Sequence, residues 1–324
     1  MSNTPRDAWQ WITASLGALA IVVVAWACLT SWGGVVHGHP AYAVLLGVTA
    51  VGGVAAIWLS LRRRKRARRS GAWRVTGRIA LIALGLAWIA VTAWLRPYSA
   101  IEPALPAMQS DGVATVTETG TQIVIEPTGG ADATAVFFQP GALVDPRAYA
   151  AVLRPLAEAG HRVVITKQPF GIAFFALGAF DATRTQYGDV NGWVIGGHSL
   201  GGTVAAIQAD GADGNGGGSD TDAAPAVGLL FFASYPAGDI SDTLVVPVES
   251  ISGSRDGLAT PEKIDASRAD LPADTNFTVI EGGSHAQFGD YGPQVGDNEP
   301  EISDDDARGQ ISAASVAFVD ALVD

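Results

Sequence analysis

Residues 8–61 contain no Asp, Glu, Lys or Arg, and this uncharged stretch constrains the fold of the chain more than any other feature. A helix needs about 20 consecutive apolar residues to cross the hydrocarbon core of a bilayer. The stretch can hold two such helices, which we place near residues 11–32 and 41–61, with a short loop around residues 33–40. A third apolar segment, residues 79–95, completes a predicted membrane domain of residues 1–100.

A basic cluster separates the second and third apolar segments. Its members are Arg62, Arg63, Arg64, Lys65, Arg66, Arg68, Arg69 and Arg74. Because cytoplasmic loops of membrane proteins carry an excess of Lys and Arg, the cluster predicts a cytoplasmic loop and a cytoplasmic N-terminus. The third helix would then lead the chain beyond Arg96 out of the cytoplasm. A cleaved signal peptide does not fit, since the apolar region is too long and a second one follows directly.

The rest of the chain carries the opposite charge. Residues 101–324 have nine Lys and Arg against thirty-one Asp and Glu, a net charge of −22. So acidic a surface argues against nucleic acid as a partner, because simple electrostatic attraction is missing. The single cysteine, Cys28, lies in an apolar segment and leaves no intrachain disulfide or thiolate metal site. The sequence predicts neither a metal nor another cofactor, and it indicates no particular oligomeric state.

Short strand patterns alternate with helical ones after a proline-containing linker at residues 101–110. The predicted strands are a hairpin of residues 113–118 and 121–126, followed by 134–138, 162–166, 193–195, 227–233, 245–251 and 277–280. The predicted helices are residues 146–159, 170–180, 203–209 and 305–322, and residues 210–224 form a predicted surface loop. Such alternation is typical of a mostly parallel central sheet with helices on both faces, here one α/β domain of residues 111–324.

The strongest chemical motif is Gly-His-Ser-Leu-Gly at residues 197–201, between a predicted strand and a predicted helix. A serine hydroxyl becomes an effective nucleophile when a base accepts its proton, and a sharp strand–turn–helix elbow presents it clear of the sheet. Gly197 and Gly201 provide the small residues that this turn requires, and His198 completes the elbow. Ser199 is therefore the predicted nucleophile.

Two later loops offer a base and an acid. Asp256 follows the predicted strand 245–251, and His285 follows the predicted strand 277–280. Ligands bind at the carboxyl ends of strands in open α/β sheets, and the chain order Ser, Asp, His is the one found with an elbow serine. We expect His285 to take the proton of Ser199 and Asp256 to orient the imidazole.

Other acids between the nucleophile and the histidine are less suitable. Asp239 and Asp242 lie in a connection that precedes a strand, at the wrong end of the sheet for the site. Glu249 lies inside a strand pattern, so its side chain should not reach a loop beyond the strand end. These positions leave Asp256 as the predicted acid.

An acyl-transfer site also needs backbone N–H groups that bind a developing oxyanion. The N–H of Leu200, at the start of the predicted helix, is one candidate. The loop Gln-Pro-Gly-Ala at residues 139–142 follows a predicted strand and offers the second, from Gly141 or Ala142. The proline of this loop has no N–H to donate.

A resemblance to the α/β-hydrolase superfamily, and within it to the subfamily called alpha/beta hydrolase fold-5, is carried by four segments: FFQPGALVDPRAYA, GGHSLGG, SGSRDGLATPEKI and EGGSHAQFGDYG. It covers roughly residues 111–324 and implies an α/β-hydrolase fold with a Ser-His-Asp site at Ser199, His285 and Asp256. The membrane segment lies outside it. The connection at residues 234–243, where many relatives insert a lid, is short, so a lipase activity is not implied.

Together these features predict a membrane-anchored serine hydrolase that cleaves carboxylic esters through an acyl-serine intermediate. Its expected partners are the bilayer and a small-molecule or lipid-like ester substrate. Two alternatives stay open: an acyltransferase or thioesterase with the same triad, and a non-catalytic binding module on the same fold. The apolar run at residues 170–177 lines an acyl pocket in one interpretation and packs on the sheet as a helix in the other.

Overall fold

The structure is a computed structural model that describes residues 8–62, 72–214 and 223–323. The chain divides into two compact units, one of Met1–Val36 with Pro40–Pro97 and the other of His37–His39 with Tyr98–Asp324. Most of the basic cluster, from Arg63 to Arg69, lies outside the described residues, as does much of the predicted surface loop at 210–224.

Three long helices make up the first unit: α1 (Ala8–His37), α2 (Pro40–Arg62) and α3 (Ala72–Trp94). Each is long and apolar enough to cross a membrane, which confirms the prediction of three candidate spans. The loop predicted around residues 33–40 is wrong in its extent, because α1 continues to His37. No proline interrupts α1, and Pro40 starts α2 at a position where its missing N–H costs nothing.

Close packing joins the helices of the first unit. A Cβ added to Gly17 of α1 would lie 2.6 Å from the carbonyl oxygen of Gly53 on α2. Small residues at such points let helix backbones approach each other in a membrane. The indole N–H of Trp88 on α3 donates to the hydroxyl of Thr49 on α2 at 2.9 Å, so a polar group on an apolar helix is paired.

An eight-stranded sheet forms the centre of the second unit. Its strands are β1 (Ala114–Glu118), β2 (Gln122–Pro127), β3 (Thr134–Gln139), β4 (Val163–Thr166), β5 (Gly192–His198), β6 (Ala226–Phe232), β7 (Val248–Gly253) and β8 (Asn276–Ile280). They lie in the order β1-β2-β4-β3-β5-β6-β7-β8. The first hairpin is antiparallel to the rest, and β3 to β8 are mutually parallel. The carboxyl ends of these parallel strands therefore meet at one edge of the sheet.

Helices cover both faces of this sheet, which confirms the predicted fold class. The helices of the second unit are α4 (Ala104–Ala107), α5 (Ala150–Glu158), α6 (Ala179–Gln186), α7 (Leu200–Asp210), α8 (Pro261–Ala266) and α9 (Asp304–Asp320). Alternate residues of β3 point to opposite faces. Val136 and Phe138 pack in the core formed with α5 and α9, whereas Ala135 and Phe137 pack in the core formed with α6 and α7.

The single helix predicted at residues 170–180 is wrong. Two short 3-10 turns, Pro169–Gly171 and Ala173–Ala176, precede α6 instead. Phe170 has a φ of 57° and Gly171 a φ of 67°, and this left-handed backbone cannot continue a right-handed helix. Ala173 and Ala176 are buried, whereas Phe174, Phe175 and Leu177 are exposed, so the apolar run does not pack on the sheet along its length.

Candidate active site

Ser199 lies in the turn between β5 and α7, at the carboxyl edge of the parallel strands. Its φ of 52° and ψ of −125° are unusual for a residue with a side chain, and such strain persists only where the surroundings enforce it. The N–H of Ser199 donates to the carbonyl of Phe232 at 3.0 Å. The hydroxyl of Ser234 donates to the carbonyl of Ser199 at 2.6 Å. These bonds to β6 and the residues after it hold the turn, and the Ser199 side chain is half-buried.

The two glycines of the motif make the turn sterically possible. A Cβ on Gly197 would lie 2.5 Å from the backbone of Gly201. A Cβ on Gly201 would overlap the carbonyl oxygens of Gln139 and Pro140 in the loop after β3. Because Gly197 and Gly201 have no side chains, this loop can lie against the start of α7, beside Ser199.

His285 and Asp256 meet in space although they lie in different loops. Nδ1 of His285 is 2.7 Å from Oδ2 of Asp256, and both side chains are buried. Since a carboxylate only accepts, the proton belongs on Nδ1, and Nε2 keeps its lone pair. Nε2 is buried and has no hydrogen-bond partner within the described part of the chain. Ser199 therefore makes no hydrogen bond to Nε2 in this structure, and the pair holds an imidazole that is oriented towards a proton donor.

Two of the three competing acids are engaged elsewhere. Asp239 is exposed and accepts from the N–H and the hydroxyl of Ser241. Glu249 accepts from side chains of Asn276 and Thr278 on β8, each at 2.6 Å. Of the acids weighed from the sequence, Asp256 is the one bonded to His285.

Two of the three predicted oxyanion donors have free N–H groups. Across the described ranges, neither Leu200 nor Ala142 donates its backbone N–H to another group. Gly141 does not fit the predicted role, because its N–H donates to the phenol oxygen of Tyr149 at 2.8 Å. Leu200 and Ala142 are therefore the donors that remain for an oxyanion.

Tyr149 is a buried residue of the site to which the sequence assigns no role, although it lies in the first of the segments that carry the resemblance. Its hydroxyl accepts from Gly141 and lies 2.8 Å from Nδ1 of His198, so it joins the loop of residues 139–142, the predicted oxyanion loop, to the elbow. Burial lowers the pKa of His198 well below its usual value, and the neighbouring His285 lowers it further. Burial likewise raises the pKa of Tyr149. Both groups are therefore neutral, and the tyrosine donates to the imidazole.

His198 also touches the proposed base. The ring centroids of His198 and His285 are 4.5 Å apart. A neutral His198 does not repel a proton that arrives on His285, so its depressed pKa suits this position.

In the described residues, no group of three or more His, Cys, Asp or Glu side chains could hold a metal ion.

Comparison with known proteins shows the family of the chain. The sequence profile described as "Alpha/beta hydrolase family" matches residues 135–309. No curated protein matches the chain.

Three solved structures are among those similar to it. Est1E from Butyrivibrio proteoclasticus is 13% identical, with a TM-score of 0.45, 65% of this chain covered and 99% of that one. A monoacylglycerol lipase from Paleococcus ferrophilus is 14% identical, with a TM-score of 0.45 and coverages of 62% and 97%. An esterase from the Planctomycetes species Thermogutta terrifontis is 15% identical, with a TM-score of 0.45 and coverages of 65% and 94%. The profile match alone spans more than half of the sequence, and the chain belongs to the alpha/beta hydrolase family.

Proposed function

We propose that this protein is a membrane-anchored serine hydrolase that cleaves carboxylic esters through an acyl-serine intermediate. The observation that carries the proposal is the buried 2.7 Å bond between Asp256 and His285. It belongs to a site that also holds Ser199 in a strained elbow. A binding module would need neither an oriented base nor a strained serine, so the geometry favours an enzyme.

In the proposed acylation step, the hydroxyl oxygen of Ser199 attacks the ester carbonyl while Nε2 of His285 takes its proton. Asp256 stabilises the imidazolium that forms. The N–H groups of Leu200 and Ala142 donate to the oxyanion of the tetrahedral intermediate. When this intermediate collapses, the imidazolium gives its proton to the leaving alcohol, and the acyl group stays on the serine.

Deacylation repeats the sequence with water as the nucleophile. His285 takes a proton from water, the hydroxide attacks the acyl carbon, and the carboxylic acid leaves as the proton returns to Ser199. The two steps need the same donors and the same base, so one set of residues serves both. An acyl acceptor other than water would convert the same site into an acyltransferase.

Three apolar helices support the proposed anchor in a bilayer. The basic cluster at residues 62–74 supports a cytoplasmic loop between α2 and α3. With that orientation, the domain from Tyr98 onward lies on the outer side of the membrane, and its substrate is an ester available there.

The proposal is tested with purified full-length protein and p-nitrophenyl esters of graded acyl length. We expect wild-type protein to release nitrophenol and free carboxylic acid, and Ser199→Ala to lose about 10⁶-fold in kcat. A kcat near that of wild type in folded Ser199→Ala would contradict the proposal. Preferential transfer of the acyl group to an added alcohol would instead favour the acyltransferase.

A further inference from the structure

Asp297, in the segment between His285 and α9, contacts both loops that carry the proposed acid and base. Its Oδ1 accepts from the N–H of Gly257 at 2.9 Å, and its Oδ2 accepts from the N–H of Ala286 at 2.8 Å. Gly257 directly follows Asp256, and Ala286 directly follows His285. One carboxylate therefore binds the residue after each member of the pair.

The same two loops are also joined before the pair. The N–H of Arg255 donates to the carbonyl of Gly283 at 2.8 Å. The N–H of Gly282 donates to the hydroxyl of Ser254 at 2.8 Å. These bonds extend the pairing of β7 with β8 into the loops. Asp297 supplies the corresponding connection on the far side, so the acid and the base lie between two points of attachment.

The chemistry of this connection requires a carboxylate. The N–H groups of Gly257 and Ala286 both donate, so the bridging side chain must accept on two oxygens. An asparagine has one carbonyl oxygen, and its amide N–H groups would face one of the two donors. A purely local role does not explain the arrangement either, since the bond to the neighbouring Asn298 uses Oδ1 alone.

We propose that Asp297 is a positioning residue that keeps His285 and Asp256 at hydrogen-bond distance during catalysis. The proposal rests on the function proposed above. Among the described residues, the Asp297 side chain makes no hydrogen bond to Asp256 or His285, so it acts through the backbone of the residue that follows each of them. A misplacement of about 1 Å in a catalytic group costs about 10²-fold in rate, which makes the loss of the bridge measurable.

The kinetic test compares Asp297→Ala and Asp297→Asn with Asp239→Ala in the full-length chain. Asp239 is the matched control, because it also accepts a backbone N–H but lies in an exposed loop. Active sites are counted with a fluorophosphonate, so that kcat refers to folded, reactive protein. We expect a fall in kcat of about 10- to 100-fold for Asp297→Ala, with KM nearly unchanged. Asp297→Asn should lie between, and Asp239→Ala should match wild type.

A spectroscopic readout needs no substrate and separates this proposal from the proposed function. The Nδ1–H of His285, bonded to Asp256, should give a far-downfield proton resonance that disappears in His285→Gln. We expect this signal in wild type and Asp239→Ala, and its loss or broadening in Asp297→Ala. A wild-type signal and wild-type kcat per titrated site in Asp297→Ala would overturn the positioning role, including the case in which only the number of active sites falls. If Asp297→Ala loses the signal and the wild-type protein hydrolyses no ester, the positioning role of Asp297 stands and the proposed esterase activity does not.

Discussion

Asp256 accepts three hydrogen bonds, of which one comes from His285. The other two come from the N–H groups of Leu258 and Ala259 and end on Oδ1, at 2.7 and 2.8 Å. The backbone thus fixes the carboxylate and leaves Oδ2 for the imidazole. An isosteric amide cannot satisfy this arrangement, because it has one accepting oxygen for two backbone donors and the histidine.

We therefore expect Asp256→Asn to fold and to lose about 10⁴-fold in kcat, or roughly 5–6 kcal/mol of barrier. The comparison is the steady-state hydrolysis of a p-nitrophenyl ester, with circular dichroism to check folding. Asp239→Asn and Asp242→Asn, which alter exposed residues, should stay near wild type. More than about a tenth of wild-type kcat in Asp256→Asn, far above the triad loss, would place the orienting acid elsewhere.

We predict that the free energy of unfolding depends on pH through Asp290. Burial raises its pKa to about 6; Arg308 opposes the shift, and Asp304 and Asp305 add to it. In the unfolded chain an aspartate titrates near 3.9, so the folded protein binds more protons between these two values. The contribution of Asp290 to stability is present at low pH and is lost as the pH rises through about 6.

The thermal midpoint tests this sign. In Asp290→Asn the side chain stays neutral, so this part of the decline in midpoint between pH 4.5 and 7.5 should vanish. The thermal midpoint of the variant minus that of wild type should be several degrees larger at pH 7.5 than at pH 4.5. Parallel pH profiles for the two proteins would contradict the assignment.

At the scale of elements, the parts of the site that the sequence indicates are those built from local pattern. Ser199, Asp256 and His285 each follow a strand pattern that ends at glycine. The helix at residues 170–180 fails, because apolar spacing does not show the left-handed backbone at Phe170.

Local sequence patterns do not show contacts between distant segments of the chain. Tyr149 meets His198 across 49 residues of sequence, and Asp297 meets Gly257 across 40. Tyr149 lies in a segment that carries the family resemblance, but the sequence assigns no role to it or to Asp297, and only the folded domain shows their contacts. The same limit explains Gly141, whose N–H is occupied by that tyrosine.

The contact between the elbow and the oxyanion loop yields a prediction about Gly201. In Gly201→Ala the new methyl group would overlap the carbonyl oxygens of Gln139 and Pro140, and backbone atoms cannot swing aside as a flexible side chain can. We expect kcat to fall by at least about 10²-fold, together with a lower midpoint of thermal unfolding.

Gly309→Ala is the matched control for that change. Gly309 lies on α9, is exposed and has no atom within 4 Å of an added Cβ. There the substitution should keep wild-type kcat and stabilise the helix by about 0.5–1 kcal/mol. Wild-type activity in Gly201→Ala would mean that the loop tolerates a displacement from the elbow.

At the scale of the whole molecule, charge separates the two parts of the chain. The first hundred residues carry a net charge of +10 and the remainder −22. The basic cluster between α2 and α3 fits an orientation in which the domain that follows is outside the cytoplasm.

Fusions after Asp324 test the orientation. Alkaline phosphatase is active only outside the cytoplasm of a bacterial host, whereas green fluorescent protein exported in unfolded form stays dark. We expect an active phosphatase fusion and a dark fluorescent fusion. The reverse pattern would return the catalytic domain to the cytoplasm and leave its site residues unaffected.

Ser199 acts, in the proposed function, as a nucleophile that is activated by His285. Labelling of the full-length protein with a fluorophosphonate tests it most directly, because such probes react with activated serines. We expect one labelled peptide, containing Ser199, with no labelling in Ser199→Ala and strongly reduced labelling in His285→Gln. Folded wild-type protein that stays unlabelled, or that is labelled equally after Ser199→Ala, would contradict it.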